Sequence, residues 1–317
     1  MKTTFITMSV LAATLFFTTV TLAADAVWTD NFEAAKIKAT KEGKDLLLHF
    51  TGSDWCPWCV KLHKEVFSQE TFKREAPKHF VLVDIDFPRR KEQSEKVKKQ
   101  NRGLEKRYRV EGFPTIILTD ASGRPYARTG YQEGGPDNFL KHLQELSTLK
   151  TKRDALFEKA ENAKGVEQAK LFDQALNWLK SNGINSLNEY TDIIDKIIAY
   201  DTDNAAGLKA NYAVQKVQYE SSDRLSDIMS NLDHNLLEEY DKAIKKLEML
   251  IETSKPVPEI VQTIYLKMAE LYQEGKKDDA AWLKNLEKAA DVAPHTDIGK
   301  RILELLEEIE HNSLLVE

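Results

Sequence analysis

Leu46-Leu47-Leu48-His49-Phe50-Thr51-Gly52-Ser53-Asp54-Trp55-Cys56-Pro57-Trp58-Cys59 decides how this chain folds and where its chemistry lies. Leu46, Leu47, Leu48 and Phe50 form a short apolar run of strand type, and Thr51-Gly52-Ser53-Asp54 is loop chemistry. Pro57 stands where the first turn of a helix begins, and Trp58, Val60, Leu62 and Val66 continue it. The expected local structure is therefore strand, loop, helix, with both cysteines at the helix start.

Cys56 and Cys59 are the only cysteines among 317 residues. A disulfide between residues three apart closes a very small loop, so as a staple it constrains little of the unfolded chain. Zinc wants about four ligands, and no second Cys or His pair at similar spacing accompanies this one. A c-type haem site needs His after the second Cys, where Val60 stands. Thiol–disulfide exchange fits: one thiolate attacks a substrate disulfide and the second resolves the mixed disulfide. Handling of copper or zinc by the two sulfurs is the alternative. Unpaired N–H groups and the helix dipole favour a thiolate at a helix N-terminus, so Cys56 is the expected attacker. Cys59, one turn further in, faces the sheet as the expected resolving thiol. Beyond this redox-active pair no cofactor and no bound metal are expected.

Further along, Gly112-Phe113-Pro114-Thr115 leads into Ile116, Ile117 and Leu118. This segment and the Cys-Pro-Trp-Cys helix start together resemble the thioredoxin superfamily. The longer string 49–67, with Leu62 and Glu65-Val66-Phe67, resembles its secreted bacterial branch, which includes thiol-reducing domains of disulfide-interchange proteins. The resemblance implies a thioredoxin fold, a central mixed sheet flanked by helices. It implies that Pro114 is a cis-proline facing the cysteines, and that Phe113 and Thr115 hold substrate backbone like an added strand. Trp55, Pro57 and Trp58 are expected to shape the substrate groove. The chain departs from thioredoxin in carrying Pro57-Trp58 between the cysteines rather than Gly-Pro. Dipeptide identity tunes the potential in this superfamily, so reduction, oxidation and isomerisation all stay open, with reduction favoured.

His49 falls near the position where thioredoxins bury an Asp that relays a proton to the resolving cysteine, although the loop here is one residue longer. A neutral imidazole can accept that proton, so His49 is a candidate relay to Cys59; a hydrogen-bonded core histidine is the alternative. His63, one turn after Cys59, is read as an ordinary core or surface histidine. Asp54 is read as an exposed carboxylate, with modulation of Cys56 as the alternative.

Residues 1–24 read as a signal peptide, with Lys2, an apolar stretch over 5–20 and small residues at Thr21, Ala23 and Ala24. A membrane anchor is the alternative, disfavoured by the short, Thr-broken apolar core. The mature protein is expected to be soluble and exported, where a disulfide persists. The absence of Asn-x-Ser/Thr acceptors favours a bacterial periplasm, with an extracellular location as the alternative.

Residues 25–149 alternate between strand and helix periods as an α/β domain. Asp30 is the expected cap of a first helix ending at Gly43. Strands are expected over 80–86, 115–119 and 126–129, with a turn at Ser122-Gly123, and Pro136 opens a helix burying Phe139, Leu140, Leu143 and Leu146. The segment 88–109 carries Arg89, Arg90, Lys91, Lys96, Lys98, Lys99, Arg102, Lys106, Arg107 and Arg109. It reads as a solvated helix face, or else as a patch beside the site that selects acidic partners. Nucleic acid is not an expected partner, since no aromatics are interleaved with these charges.

Residues 150–317 read as an all-helical, solenoid-like domain with breaks at Gly165, 181–183, 201–203, Ser221-Ser222, 256–258, Gly275 and Pro294. Ala269, Tyr272, Gly275, Ala281, Leu286, Ala289 and Pro294 resemble one tetratricopeptide repeat. Residues 25–150 carry 23 Lys and Arg against 19 Asp and Glu, whereas 151–317 carry 21 against 32, so the halves differ as +4 and −11. The halves are expected to dock on each other, to recruit a partner protein through the acidic half, or simply to present a solubilising acidic surface. The expected partners are proteins with thiols or disulfides and an upstream thiol reductase or oxidase. A redox-sensing adaptor that grips partners through its helices is the competing function.

Overall fold

In the computed structural model, residues 28–233 and 235–314 are described. The expected signal segment 1–24 and the last three residues lie outside them. Strand β1 (Asp45–Thr51) lies between parallel β2 (Phe80–Asp86) and antiparallel β3 (Thr115–Thr119), and β4 (Pro125–Thr129) pairs antiparallel with β3. The strand order is β2-β1-β3-β4, a mixed four-stranded sheet.

Both faces of this sheet are covered, which is why β1 is an almost continuous apolar run. Leu46, Leu48 and Phe50 point to the side packed by α1 (Phe32–Glu42) and α4 (Glu95–Arg107), with Phe32, Ala35, Leu104 and Tyr108. Leu47 points to the other side and meets Leu62, Phe67, Phe72, Phe139 and Leu143. Those residues come from α2 (Pro57–Leu62) and its wide continuation over His63–Phe67, from α3 (Glu70–Glu75) and from α5 (Gly135–Glu161). His49 shares the face of Leu47, because strand side chains alternate. That places the histidine on the side of the sheet to which α2 brings Cys59.

Two local expectations shift. Asn31, not Asp30, caps α1, its side chain accepting from the Ala34 N–H at 3.0 Å. The Ser221-Ser222 pair does not interrupt a helix: α8 (Leu208–Ser230) runs through it with Ser221 fully buried. Serine is only mildly unfavourable inside helices, and burial of Tyr219 and Leu225 on the same element outweighs that preference.

Beyond the sheet, α6 (Gly165–Ser181), α7 (Thr191–Tyr200), α8, α9 (Leu237–Ser254), α10 (Pro258–Leu271), α11 (Asp279–Val292) and α12 (Asp297–Leu314) pack each on the next, through three successive apolar clusters. At the repeat-like segment, a wide turn over Tyr272–Lys276 stops at Lys277 (φ 53°), and Asp278 caps α11 by accepting from Ala281. Gly275 lies against the Tyr240 ring, where a Cβ would collide. Helix α5 runs unbroken across position 149, so one helix belongs to both halves.

The halves dock on each other. Tyr190 donates its hydroxyl proton to the Pro125 carbonyl at 2.6 Å, and Arg153, 5% exposed, ion-pairs with Asp120 at 2.9 Å. Arg107 forms a bidentate pair with Glu189, and Arg124 meets Asp192 at 2.7 Å. These contacts gather at the far end of the β3–β4 hairpin.

Candidate active site

The strand-loop-helix stretch folds as its residues dictate. Cys56 caps α2 with extended backbone (φ −85°, ψ 112°), its sulfur accepting from the Cys59 N–H at 3.2 Å, and Pro57 occupies the first turn. A disulfide joins Cys56 and Cys59. Both are nearly buried, at 4% and 2% exposure, whereas Trp58 between them is 55% exposed. The Phe113-Pro114 peptide is cis, and the Phe113 carbonyl oxygen lies 3.6 Å from the Cys56 sulfur. Thr115 donates its hydroxyl proton to the Gly112 carbonyl at 2.7 Å, closing the loop from within. Thus Cys56, Cys59, Phe113, Pro114 and Thr115 meet at one end of the sheet, flanked by Trp55, Pro57 and Trp58.

The aromatic residues are braced. The Trp55 indole donates to the Phe87 carbonyl at 2.7 Å, and its ring meets Phe113 edge-on at 5.9 Å while Phe87 stacks on Phe113 at 5.1 Å. Gly52 lies against the indole, where a Cβ would collide. On the other side Trp58 lies 5.4 Å from Tyr131, whose hydroxyl donates to Glu65 at 2.6 Å.

Behind the disulfide is a cavity of about 350 Å³ lined by Cys59, His49, Asp84, Asp86, Trp28 and Phe67, among others. His49 is 5% exposed, and its Nδ1 lies 2.9 Å from the Asp84 carboxylate. A carboxylate only accepts, so in the neutral imidazole Nδ1 carries the proton and Nε2 presents a lone pair. That Nε2 is buried with no protein partner. The parallel register sets His49 directly opposite Asp84, so the dyad is built by strand pairing. Asp84 escaped the sequence reading, although the alternation Val83-Asp84-Ile85-Asp86 carried the signal: two carboxylates on one strand face. His63 is exposed at the cavity wall. Among the described residues, no group of three or more His, Cys, Asp and Glu stands where it would hold a metal ion.

Asp54 is more than an exposed carboxylate. It accepts the backbone N–H groups of Arg89, Arg90 and Lys91 at 3.0, 2.7 and 3.2 Å, and clamps that loop beside the site. These bonds, led by Arg89, hold its pKa below the ordinary Asp value. A carboxylate so depressed contributes fully above the unfolded value of about 3.9 and loses that contribution as the pH falls through the lower native value. In an NMR titration the three amides are expected to move together with a midpoint below about 3.9. A midpoint at or above that value would show that the clamp is absent.

A family model of the thioredoxin-like domain matches residues 32–147. Disulfide bond reductase DsbH of Chlamydia pneumoniae is 34% identical over 128 residues, 40% of this chain and 76% of that protein. Thioredoxin-related protein DsbJ of the same organism is 30% identical over 127 residues, 39% of this chain but only 36% of that one. A solved structure of DsbH oxidoreductase aligns with 32% identity and a TM-score of 0.38, covering 43% of this chain and 94% of that one.

Proposed function

The chain belongs to the thioredoxin-like family, and from that premise we propose that it is an exported thiol–disulfide oxidoreductase working as a reductant of protein disulfides. One observation carries the reading: the paired sulfurs at a helix N-terminus lie against the Phe113-Pro114 segment, with the Phe113 carbonyl 3.6 Å from Cys56. In the reduced protein the Cys56 thiolate attacks one sulfur of the substrate disulfide, forming a mixed disulfide and expelling the other substrate sulfur as a thiolate that takes up a proton. The Cys59 thiolate then attacks Cys56, re-forming the pair seen in this structure and releasing the second substrate thiol. Two electrons and two protons pass to the substrate, and a thiol protein upstream restores the dithiol. No other cofactor enters the proposal.

The substrate backbone lies along Phe113, Pro114 and Thr115, with Trp55, Pro57 and Trp58 as walls. His49 takes the Cys59 proton on its Nε2, held in that tautomer by Asp84. Residues 25–149 carry this chemistry, and 150–317 form the helical domain.

The deciding measurement is the reduction potential of the Cys56/Cys59 pair, by thiol trapping of mature protein in thiol redox buffers. The expected value is near thioredoxin's, about −270 mV. A value near about −120 mV would mean an oxidant that donates disulfides, and would overturn the reductive reading. The similarity to DsbH, a disulfide bond reductase, supports the first outcome.

A further inference from the structure

The two aromatic walls of the site each carry a cation. The Arg89 guanidinium lies 4.1 Å from the centre of the Trp55 ring, which itself meets Phe113 edge-on. The Lys61 ammonium lies 5.3 Å from the Trp58 ring and 4.8 Å from that of Tyr131. Arg90 and Lys91 are exposed on the loop that carries Arg89. Asp54 ties that loop down by its backbone N–H groups rather than by its side chains. Among the described residues none of these four side chains lies within ion-pair distance of a carboxylate; Lys91 donates to the Ser53 hydroxyl at 3.1 Å, and Lys61 is hydrogen-bonded to the Tyr131 hydroxyl, which raises its pKa.

The neighbouring carboxylates are engaged with other donors. Asp54 is held by the three amides, Asp86 by the N–H and hydroxyl of Ser53 at 2.9 and 2.6 Å, and Glu65 by Tyr131. Those three carboxylates keep their charge, because amide and hydroxyl donors do not neutralise it, and Glu65 helps to raise the Lys61 pKa. The two cations held on Trp55 and Trp58 nevertheless have no carboxylate at ion-pair distance among the described residues, so an approaching acidic side chain can pair with either. The charges at 96–109 play no part in this: Lys98 pairs with Glu95, Arg107 with Glu189, and Lys106 donates to Ser226.

We propose that the site selects polypeptide disulfides flanked by Asp or Glu, one acidic side chain meeting Arg89 over Trp55 and another meeting Lys61 over Trp58. This rests on the reductive reading above and specifies its substrate class. Cation–aromatic stacking fixes each charge in place, so that an incoming carboxylate meets a cation that loses little further freedom.

The test uses the full mature protein in its reduced form. Three peptide mixed disulfides of equal length serve as substrates, with Asp and Glu, Gly and Ser, or Lys and Arg beside the cysteine. At low ionic strength kcat/KM is expected to be at least about tenfold higher for the acidic than for the basic peptide. The ratio is expected to fall to within about twofold at 1 M salt, where charges separated by more than about 3 Å are screened. The Lys61→Glu, Arg89→Glu double variant is expected to invert the order, each rate being normalised to that on the neutral peptide. Equal wild-type rates on acidic and basic peptides at low salt would overturn the inference and leave the oxidoreductase reading standing. Failure to turn over any of the three would overturn that reading itself. The salt dependence of the wild type needs no variant to fold.

Discussion

Replacing Cys56 with Ser is expected to lower the turnover of protein disulfides by at least about a thousandfold, because the attacking thiolate is removed outright. Ser is a strong N-cap, and it would replace a sulfur that already accepts the Cys59 N–H at 3.2 Å. The variant should therefore keep α2 and the fold, so the loss reports chemistry rather than unfolding. Cys59→Ser is expected to behave differently. It still attacks, then stalls, and accumulates a substrate-linked species on non-reducing gels that dithiothreitol dissolves. Residual turnover within tenfold of wild type in Cys56→Ser would sink the assignment. It would leave the cysteines as redox sensors on a partner-binding protein.

His49→Ala is expected to slow the resolving step by about a hundredfold at neutral pH, the scale on which a positioned general base acts. His49 and Cys59 line one cavity, and no protein atom satisfies the buried Nε2. A core histidine retained only for packing would have its second nitrogen occupied or exposed. With the imidazole gone, Cys59 must lose its proton to solvent, so the rate should follow the ionisation of that thiol alone and the pH profile should change shape. His49→Gln keeps a polar group that can bond Asp84 but no base, and is expected to share the kinetic defect while recovering thermal stability. If both variants keep the wild-type profile, His49 is a packing residue and the dyad with Asp84 is structural.

Much of the candidate site was legible because its signals are local. The two cysteines, Pro57 at the helix start and Phe113-Pro114 before a β-branched run each follow from residues within a few positions of one another, and their meeting followed from resemblance to a family. The dyad partner was not legible: His49 and Asp84 are 35 residues apart, and only strand register brings them face to face. The role of Asp54 was misjudged for a related reason. An acidic residue in a loop looks solvated until another loop turns three N–H groups toward it.

The cationic stretch shows the same division. Its ten charges read as one surface, yet the fold separates them. Arg89, Arg90 and Lys91 stand beside Trp55, while Lys106, Arg107 and Arg109 turn toward the helical half, Arg107 to Glu189 and Arg109 over Tyr219. The opposed net charges of the two halves suggested docking, and the docking is real, but buried Arg153 and Tyr190 carry it as much as the surface pairs do.

By itself the sequence determined the alternation of strands and helices, the helix start that presents Cys56 and the all-helical character of the second half. Periodicity, capping and proline geometry act over a few residues and need no distant partner. Tertiary structure alone decided which carboxylate faces His49, which cations flank the sulfurs and which end of the sheet the helices cover. Those contacts join residues dozens of positions apart, and each depends on strand register and packing that no single segment specifies.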